Sequence, residues 1–379
     1  MEERGVLPNM KVKMVPGCSK NPVNGIAQVI NHYHKYLPKF GIELTDGDSY
    51  DLLATHAGSL GAYCDVAHCH GLYWTADYES RPWEYKTNAD VIASLRNAKV
   101  ITVPSEWVAR SIRRDMRRRP MVVPHGIECE QWQTDAVRGS FVLWNKNRAG
   151  DVCSVEPLEA LARLAPDTQF VSTFGAGDNI KTTGTLKFED MRRIILRAGI
   201  YLATTQETFG IGTLEAMASG VPVLGYDHGG TAELVEHGVT GYLAQNGNVE
   251  DLLEGLRFCQ KHNAILGRNA RQRAKLWTWE HACELVAKAY ERAMKPEPPT
   301  VAIVIPCYNY AHVVERALVS AMAQDYDLVT DIVVVDDGSQ DDPLSVVEPY
   351  MRQDKRVRMI KQDNGGVASA RNTGIASTD

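Results

Sequence analysis

The sequence predicts an α/β protein made of parallel sheets, with two doubly wound domains followed by a third, partial α/β unit. Short apolar segments alternate with amphipathic helical segments along the chain, as in sheets whose strands are connected by helices. A proline-rich segment, Lys295–Pro299, interrupts the alternation, which then starts again. The chain has 379 residues, enough for roughly two or three domains.

Residues 1–135 are expected to form the first doubly wound domain. Between Gly25 and Tyr36 the apolar residues recur at helical spacing, which predicts an amphipathic helix after the first strand. The predicted strands are Val12–Pro16, Asp51–Thr55, Asp65–His68, Val100–Val103 and Met121–Pro124.

Residues 136–294 are expected to form the second doubly wound domain, which ends in a helix from Trp279 to Ala293. Residues 295–300 then read as a stiff, extended linker. The third unit, residues 301–379, repeats the pattern of an apolar strand followed by a helix. The predicted strands of the second domain are Phe141–Trp144, Gln169–Thr173, Ile200–Ala203 and Pro222–Gly225.

Composition and charge are those of an ordinary soluble globular protein. Hydrophobic residues make up 44% and charged residues 23% of the chain, and the net charge of −6 gives no general reason to expect nucleic acid or a membrane as partner. No run approaches the ~18 apolar residues of a membrane span. The start of the chain lacks the apolar core of a signal peptide. We therefore expect a cytoplasmic protein.

The eight cysteines are scattered without paired spacing, which fits free thiols in a reducing compartment. Cys64, His68, Cys69 and His70 are close enough in sequence to raise the question of a metal site. They fall on a predicted strand, where only alternate residues share a face, and no second Cys/His pair follows at zinc spacing. We predict no metal.

The most informative segment runs from Glu207 to Glu215, two carboxylates eight residues apart that flank a glycine turn. Gly210 and Gly212 let backbone N–H groups approach a ligand, and the helix-forming residues that follow place those groups at a helix N-terminus. Such an end attracts phosphates, while carboxylates accept hydrogen bonds from hydroxyl groups. The combination suggests a sugar nucleotide. Alternatively, the glycines serve only packing, and Glu207 only complements the helix dipole.

The stretch from Glu207 to Leu243 resembles the retaining glycosyltransferases of the GT-B fold, in the large family 4 group, whose Glu-x7-Glu element matches Glu207 and Glu215. The resemblance implies two Rossmann-like domains facing a cleft, with the last helix crossing back onto the first domain. It implies transfer of a sugar from a UDP- or GDP-linked donor without a cofactor or metal, and with retention of anomeric configuration.

The family also implies roles for individual residues. Glu207 would hold the transferred sugar as a catalytic residue, Glu215 would accept from the ribose hydroxyls, and His70 would be the histidine near the sugar. On the loop after the first strand of the second domain, Lys146 and Arg148 are the expected phosphate ligands; the alternative is a solvated loop with two ordinary charges. The other expected donor-binding residues are Asn145, Thr208, Phe209, Gly210, Ile211, Gly212, Gly25, Thr185 and Leu186.

Three segments of the third unit, Val301–Asn309, Asp331–Ser339 and Asn364–Gly374, resemble the start of a family 2 glycosyltransferase of the GT-A fold. In that family Asp336 and Asp337 would lie in the sugar-nucleotide pocket. The metal-binding Asp-x-Asp that normally follows is not found before Asp379, so we expect a vestigial nucleotide site without activity. A truncated coding sequence and a dedicated binding module are the two explanations.

Six arginines lie between Arg110 and Arg119. They could hold an anionic lipid surface at the inner face of the membrane, a phosphorylated acceptor or nucleic acid, or could simply be a solvated helix face. The acceptor is therefore left open among a glycan, a lipid carrier and modified nucleic acid. The alternatives to a transferase are a GT-B protein that carries out epimerisation or phosphorolysis, and a non-catalytic sugar-nucleotide-binding scaffold.

Overall fold

The structure is a computed structural model that describes residues 10–18, 25–59, 63–71, 82–135, 137–150, 152–295, 300–324, 326 and 328–378, with only the backbone at 82 and 83. The chain divides into two compact units, Met1–Lys295 and Pro296–Asp379, here called the N-terminal and C-terminal units. Most of the predicted linker, at 296–299, lies outside the described residues. None of the helices in the described ranges is long and apolar enough to cross a membrane.

The first sheet of the N-terminal unit has six strands, all parallel, in the order β2-β1-β3-β4-β5-β6. All five predicted strands are present with small shifts at their ends. The strand β2, a short strand at the sheet edge, was not predicted from the sequence. The elements are β1 (Met10–Val15), α1 (Gly25–Tyr36), β2 (Ile42–Thr45), β3 (Leu52–His56), β4 (Val66–His68), α2 (Pro82–Asn97), β5 (Val100–Val103), α3 (Glu106–Met116) and β6 (Met121–Val122).

The second sheet also has six parallel strands, in the order β12-β11-β10-β7-β8-β9. Its four predicted strands are present, and the edge strands β9 and β12 were missed. The elements are β7 (Val142–Trp144), α4 (Glu156–Leu164), β8 (Phe170–Ser172), β9 (Ile180–Thr182), α5 (Phe188–Arg197), β10 (Ile200–Ala203), α6 (Ile211–Ala218), β11 (Val223–Tyr226), α7 (Gly229–Leu234), β12 (Gly241–Ala244), α8 (Val249–Lys261) and α9 (Asn263–Ala274).

The last helix of the unit, α10 (Trp279–Met294), packs on the first sheet although it follows the second in sequence. The Thr278 hydroxyl caps it by accepting from the His281 N–H. Its apolar face, which includes Val286 and Tyr290, is buried against Val12 and Tyr33 of the first core. This crossing ties the two sheets into one compact unit with a cleft between them.

The C-terminal unit contains a three-stranded parallel sheet in the order β13-β14-β15. Its core forms around fully buried Leu318, Val334 and Val347. Both units therefore have the predicted α/β class with parallel sheets. The elements are β13 (Val301–Cys307), α11 (Ala311–Met322), β14 (Val329–Asp337), α12 (Pro343–Gln353), β15 (Val357–Gln362) and α13 (Gly366–Ala376).

Candidate functional site

The strand order of the second sheet reverses between β7 and β10, since β8 and β9 lie on one side of this pair and β11 and β12 on the other. In open parallel sheets the loops that leave two such strands diverge and form a crevice at their carboxyl ends. The loop after β7 carries Lys146, and the loop after β10 carries Glu207. Topology thus brings these two residues together, with Nζ of Lys146 2.7 Å from Oε1 of Glu207.

The Lys146–Glu207 ion pair is largely shielded from water, since the side chains are 9% and 32% exposed. The Lys146 ammonium holds the pKa of Glu207 below its usual range, and the charge of Arg148 adds to this effect. Burial lowers the pKa of Lys146, but the Glu207 carboxylate more than offsets it and the pKa is raised. Both side chains are therefore charged at neutral pH.

The loop that carries Lys146 is fixed by its neighbour Thr173. The Lys146 N–H donates to the Thr173 hydroxyl at 2.9 Å, and this hydroxyl donates to the Lys146 carbonyl at 2.8 Å. On the other side, the Thr205 hydroxyl donates to Glu207 at 3.3 Å. The ion pair is thus held from both loops, so the cation has a defined position.

The glycine turn leads directly into α6, as predicted. Gly210 is the residue before the helix and has φ of +98°, a conformation that favours glycine. A Cβ on Gly212 would lie 2.5 Å from the Tyr201 hydroxyl, so this position has no room for a side chain. Ile211 and Gly212, the first two residues of α6, line the cleft, so the backbone N–H groups of the helix start lie beside it.

Glu215 lies one turn into α6 and is 9% exposed. Burial raises its pKa to about 8, although the charge of Lys146 acts in the opposite direction. It therefore differs from Glu207, which is kept ionised by a direct partner. The two glutamates of the motif occupy distinct electrostatic environments.

The cleft has a volume of about 1290 Å³ and is lined by α1 on one side and by the second half of the N-terminal unit on the other. The N-termini of α1 and α6 meet in it, because a Cβ on Gly25 would lie 3.3 Å from the Ile211 side chain. The positive ends of two helix dipoles thus flank the same space as Lys146. The predicted site residues that line the cleft are Gly25, Asn145, Lys146, Thr185, Leu186, Ile211, Gly212 and Glu215. Asn24, the residue before α1 in the sequence, lies outside the described residues.

Several predicted residues do not line this cleft but support it. The Thr208 hydroxyl donates to the His70 carbonyl at 2.7 Å, and the Thr208 carbonyl accepts from the Ser105 hydroxyl at 2.6 Å. Phe209 is buried edge-on to His125, with ring centroids 4.9 Å apart. The turn is therefore pinned to the first sheet. The predicted residues outside the lining are Glu207, Arg148, Thr208, Phe209, Gly210 and His70.

His70 belongs to a stack of four imidazoles beneath the glycine turn, formed by His56, His68, His70 and His125. The His70 Nε2 lies 2.7 Å from the His56 Nδ1, and ring centroids along the stack are 4.5 to 5.6 Å apart. Burial lowers the pKa of His70 to about 4 and that of His68 to about 3, and it lowers those of the other two well below the usual value. The stack is neutral at physiological pH.

The cysteines and histidines at positions 64–70, which were considered as metal ligands, make hydrogen bonds within the protein. The His68 ring nitrogens lie 2.6 Å from the Thr102 hydroxyl and 3.1 Å from the Tyr290 hydroxyl. Cys69 points to the Gly71 carbonyl, and Cys64 accepts from Thr55. Within the described ranges no group of three metal-ligating side chains is found.

The arginine run is also partly engaged. Arg113 pairs with Glu106, and Arg114 pairs with Asp115. Arg118 donates to the carbonyls of Leu95, Arg96 and Ala98, which close the C-terminal end of α2. Three of the six arginines thus make contacts within the protein. For these three, the contacts favour the interpretation as a solvated helix face over a role in binding an anionic partner.

In the C-terminal unit, Asp336 and Asp337 end β14 and accept hydrogen bonds from nearby loops. The Asp337 carboxylate accepts from the Gly365 and Gly366 N–H groups at 2.9 and 2.8 Å, which holds its pKa below the usual range. Asp336 accepts from the Ser339 N–H at 2.9 Å. The role of the two residues as a nucleotide site stays a prediction.

Some residues that line the cleft were not predicted from the sequence, chiefly Gln28 and His32 of α1, Phe188 of α5 and Tyr201 of β10. None belongs to a motif. Gln28 and His32 stand three and seven residues after Gly25, a spacing that places all three on one face of α1. This helical spacing was the available signal.

Two segments of the chain match known family models. Residues 169–277, which contain Glu207 and Glu215, match the model described as Glycosyl transferases group 1. Residues 302–379 match the model described as Glycosyl transferase family 2. The two matched segments lie in the N-terminal and C-terminal units respectively.

Similar proteins carry glycosyltransferase names. An uncharacterized glycosyltransferase of Methanocaldococcus jannaschii is 23% identical over 76% of this chain and 87% of its own length. The uncharacterized glycosyltransferase EpsJ of Bacillus subtilis is 40% identical over 20% of this chain. A D-inositol 3-phosphate glycosyltransferase of a Nocardioides species is 28% identical over 37% of this chain. The chain spans only 22% and 31% of the length of the latter two relatives.

Solved structures establish the fold. The sucrose-phosphate synthase of Thermosynechococcus elongatus aligns with a TM-score of 0.60 at 15% identity, covering 75% of this chain and 98% of that protein. Anabaena HepE, solved in complex with UDP-glucose, aligns with a TM-score of 0.58 at 17% identity, covering 74% and 99%. The predicted GT-B architecture is thereby confirmed.

Proposed function

We propose that the N-terminal unit is a glycosyltransferase that moves a sugar from a nucleoside-diphosphate sugar to a hydroxyl group of an acceptor. The observation that carries this proposal is the shielded Lys146–Glu207 pair at the reversal point of the second sheet, 2.7 Å apart. It adjoins a cleft on which two helix N-termini converge. A fixed cation beside backbone N–H donors suits a diphosphate, and a carboxylate next to them suits sugar hydroxyls.

The donor diphosphate would lie between Lys146 and the start of α6. Developing charge on the leaving diphosphate needs donors that are already oriented, and the Thr173 bonds fix the backbone of Lys146. The open N–H groups after Gly210 and the start of α1 at Gly25 add two positive helix ends. We therefore propose a metal-independent reaction, in which protein groups supply all the positive charge.

The two glutamates would act on different parts of the donor. Glu207, ionised beside Lys146, would hold hydroxyl groups of the transferred sugar. Glu215, which lines the cleft and is largely buried, would accept from the ribose. Thr185 and Leu186 line the same cleft and would meet the base, a uracil or a guanine. The proposed roles thus assign protein groups to the sugar, the diphosphate, the ribose and the base of a sugar nucleotide.

We further propose that the configuration at the anomeric carbon is retained. The acceptor oxygen would form a bond to that carbon on the face from which the diphosphate leaves. The bond from the anomeric carbon to the phosphate oxygen breaks, and the acceptor proton passes to an oxygen of the leaving phosphate. The Lys146 ammonium would stabilise the negative charge that gathers there. His70 would act indirectly, since its carbonyl holds Thr208 beside Glu207.

All eight cysteines are free thiols, and most are buried. This supports a reducing compartment such as the cytoplasm as the place of the reaction. The pairing of Arg113, Arg114 and Arg118 leaves the arginine run little suited to a broad anionic surface. The acceptor is thus proposed only as a molecule with a free hydroxyl group, within the glycans, lipid carriers and modified nucleic acids considered above.

The test is release of nucleoside diphosphate from a panel of UDP- and GDP-sugars, with and without a panel of hydroxyl acceptors and in the presence of EDTA. We expect acceptor-dependent release that EDTA leaves unchanged, and an NMR spectrum of the product with the donor's anomeric configuration. Glu207→Gln should reduce release about a hundredfold or more, whereas Glu236→Gln, on the surface outside the cleft, should not. Release that requires a divalent metal or ignores Glu207→Gln would contradict the proposal.

A further inference from the structure

His32 stands on α1, and its ring faces the same cleft as Glu215 of α6. The two residues come from opposite halves of the N-terminal unit. They also line a small side pocket of about 40 Å³, which shares Gln28 and Phe188 with the main cleft. This volume is enough for a single water or hydroxyl group, which needs at least about 10–15 Å³.

The orientation of the His32 ring is fixed on two sides. It stacks on the Trp279 indole with centroids 4.2 Å apart and an angle of 10° between the planes. Its Nδ1 lies 2.7 Å from the Gln28 carbonyl oxygen. Because a carbonyl can only accept, Nδ1 must carry the hydrogen. Burial lowers the pKa of His32, so the ring is neutral at physiological pH and Nε2 keeps its lone pair.

Within the described part of the chain, no hydrogen bond reaches the Nε2 of His32, and this atom is not among the buried polar atoms without a partner. It is therefore an oriented acceptor that remains accessible. Because Glu215 is proposed to contact the ribose and shares the side pocket with His32, that pocket is where a neighbouring hydroxyl of the same sugar would lie. A ribose has two adjacent hydroxyl groups, and one carboxylate need not satisfy both.

We propose that His32 is a specificity-determining residue whose Nε2 accepts a hydrogen bond from one ribose hydroxyl of the donor, opposite Glu215. This inference rests on the proposed function, because it presupposes that the cleft binds a nucleotide. It assigns α1 a role in nucleoside recognition in addition to its helix N-terminus at the diphosphate. Discrimination between ribose and deoxyribose then depends on both halves of the unit.

The experiment measures the affinity of the full chain for UDP and GDP and for their 2′-deoxy and 3′-deoxy analogues, by isothermal titration calorimetry. The variants are His32→Phe, which keeps an aromatic ring to stack on Trp279 but lacks Nε2, and His32→Gln, which restores an acceptor. Glu215→Gln reports on the other ribose contact. The matched control is His281→Phe, an exposed histidine of α10 outside the cleft.

We expect His32→Phe to weaken binding of the ribonucleotide about fivefold to tenfold, the effect of one hydrogen bond. Binding of the one deoxy analogue that lacks the contacted hydroxyl should not change, and His32→Gln should recover part of the loss. Equal weakening for all three sugars would indicate a packing effect and overturn the proposal, as would no change at all. Wild-type protein that binds no nucleotide would overturn the proposed function as well.

Discussion

Lys146 and Glu207 are 61 residues apart in sequence, yet their charged atoms are 2.7 Å apart. The cause is topological, because β7 and β10 are neighbours in the sheet and the loops that follow them diverge. The pair makes Lys146 a fixed cation whose partner keeps it charged. It also makes the two residues interdependent, since loss of either would leave a largely buried charge alone.

We predict that Lys146→Met and Glu207→Gln separate binding from chemistry. Lys146→Met should weaken nucleoside-diphosphate binding at least about tenfold, because a hydrogen bond to a charged group contributes roughly 1.5–3 kcal/mol. Glu207→Gln should leave that binding within about threefold but reduce turnover about a hundredfold or more. Calorimetry and steady-state kinetics measure the two effects, with Lys288→Met on the surface of α10 as control.

The ion pair also predicts that the effects of Lys146 and Glu207 variants on the free energy of unfolding are not additive. Each single variant leaves one charge without its partner, whereas the double variant Lys146→Met/Glu207→Gln leaves none. In urea unfolding, the double variant should therefore be more stable than the sum of the single effects, by roughly 1–3 kcal/mol. Strictly additive effects would mean that the two side chains do not interact in solution.

Glu215→Gln should make the protein more stable at high pH. The pKa of Glu215 is raised by burial to about 8 in the folded state, against about 4.3 in an unfolded chain. The contribution of Glu215 to the free energy of unfolding is therefore highest below about pH 4.3, where the carboxyl group is protonated in both states. It falls as the pH rises toward about 8, the pKa in the folded state, and the loss is complete above that pH. The variant should gain roughly 2–4 kcal/mol over wild type at pH 9. Below about pH 4 the gain should vanish.

Thermal unfolding between pH 5 and pH 9 measures this difference, with Glu236→Gln as a surface control. If the unfolding temperatures of Glu215→Gln and wild type differ by the same amount at every pH from 5 to 9, then Glu215 is ionised in the folded protein over this whole range. Added nucleotide should reduce the difference if the ribose hydroxyls bind the carboxylate, because the ligand then favours the ionised form.

The imidazole stack predicts loss of stability in mild acid. Burial lowers the pKa values of His56, His68, His70 and His125 in the folded state. Their contribution is present above about pH 6.5, the unfolded value, and is lost as the pH falls toward 4. Each neutral histidine adds up to about 1.4 kcal/mol per pH unit to the dependence of the free energy of unfolding.

Urea unfolding at several pH values between 7 and 5 measures that slope. His56→Phe preserves a stacked ring and should reduce the slope by the contribution of one histidine, whereas exposed His281→Phe should not. An unchanged slope in His56→Phe would mean that the pKa of His56 is the same in the folded and the unfolded protein.

The sequence predicted the central strands and the motif residues but not the features that depend on packing. β2, β9 and β12 were missed because edge strands are partly exposed and lack the continuous apolar run of buried parallel strands. Glu215 and Lys146 could be named as site candidates from the sequence, because Glu215 belongs to a local motif and Lys146 lies on the loop after a predicted strand. The proposed role of His32 could not be predicted from the sequence, because the orientation of its ring depends on Trp279, which α10 brings from the far end of the unit.

The two halves of the N-terminal unit are connected by a carboxylate that caps a helix of the other half. Glu233 of α7 accepts from the N–H groups of Glu106 and Trp107 at the start of α3, at 3.0 and 2.6 Å. Glu233→Ala should cost roughly 1 kcal/mol, the contribution of a helix cap, and should favour an opened cleft. Solution scattering should show a larger radius of gyration, and the donor KM should rise more than kcat falls. Glu236→Ala is the control, and unchanged scattering would contradict the role.

Gly212 offers a test that does not depend on charge. A Cβ at this position would lie 2.5 Å from the Tyr201 hydroxyl and 3.5 Å from the ring carbon that carries it. Gly212→Ala should therefore destabilise the protein by roughly 1–3 kcal/mol through overpacking. Within the described residues the Tyr201 hydroxyl is buried without a hydrogen-bond partner, so Tyr201→Phe should cost little. Because it removes the atom that clashes, the double variant Gly212→Ala/Tyr201→Phe should recover most of the lost stability in thermal unfolding. Recovery of nucleotide binding in the same variant would show that the hydroxyl itself is dispensable, whereas stable protein without binding would make Tyr201 a ligand of the nucleotide.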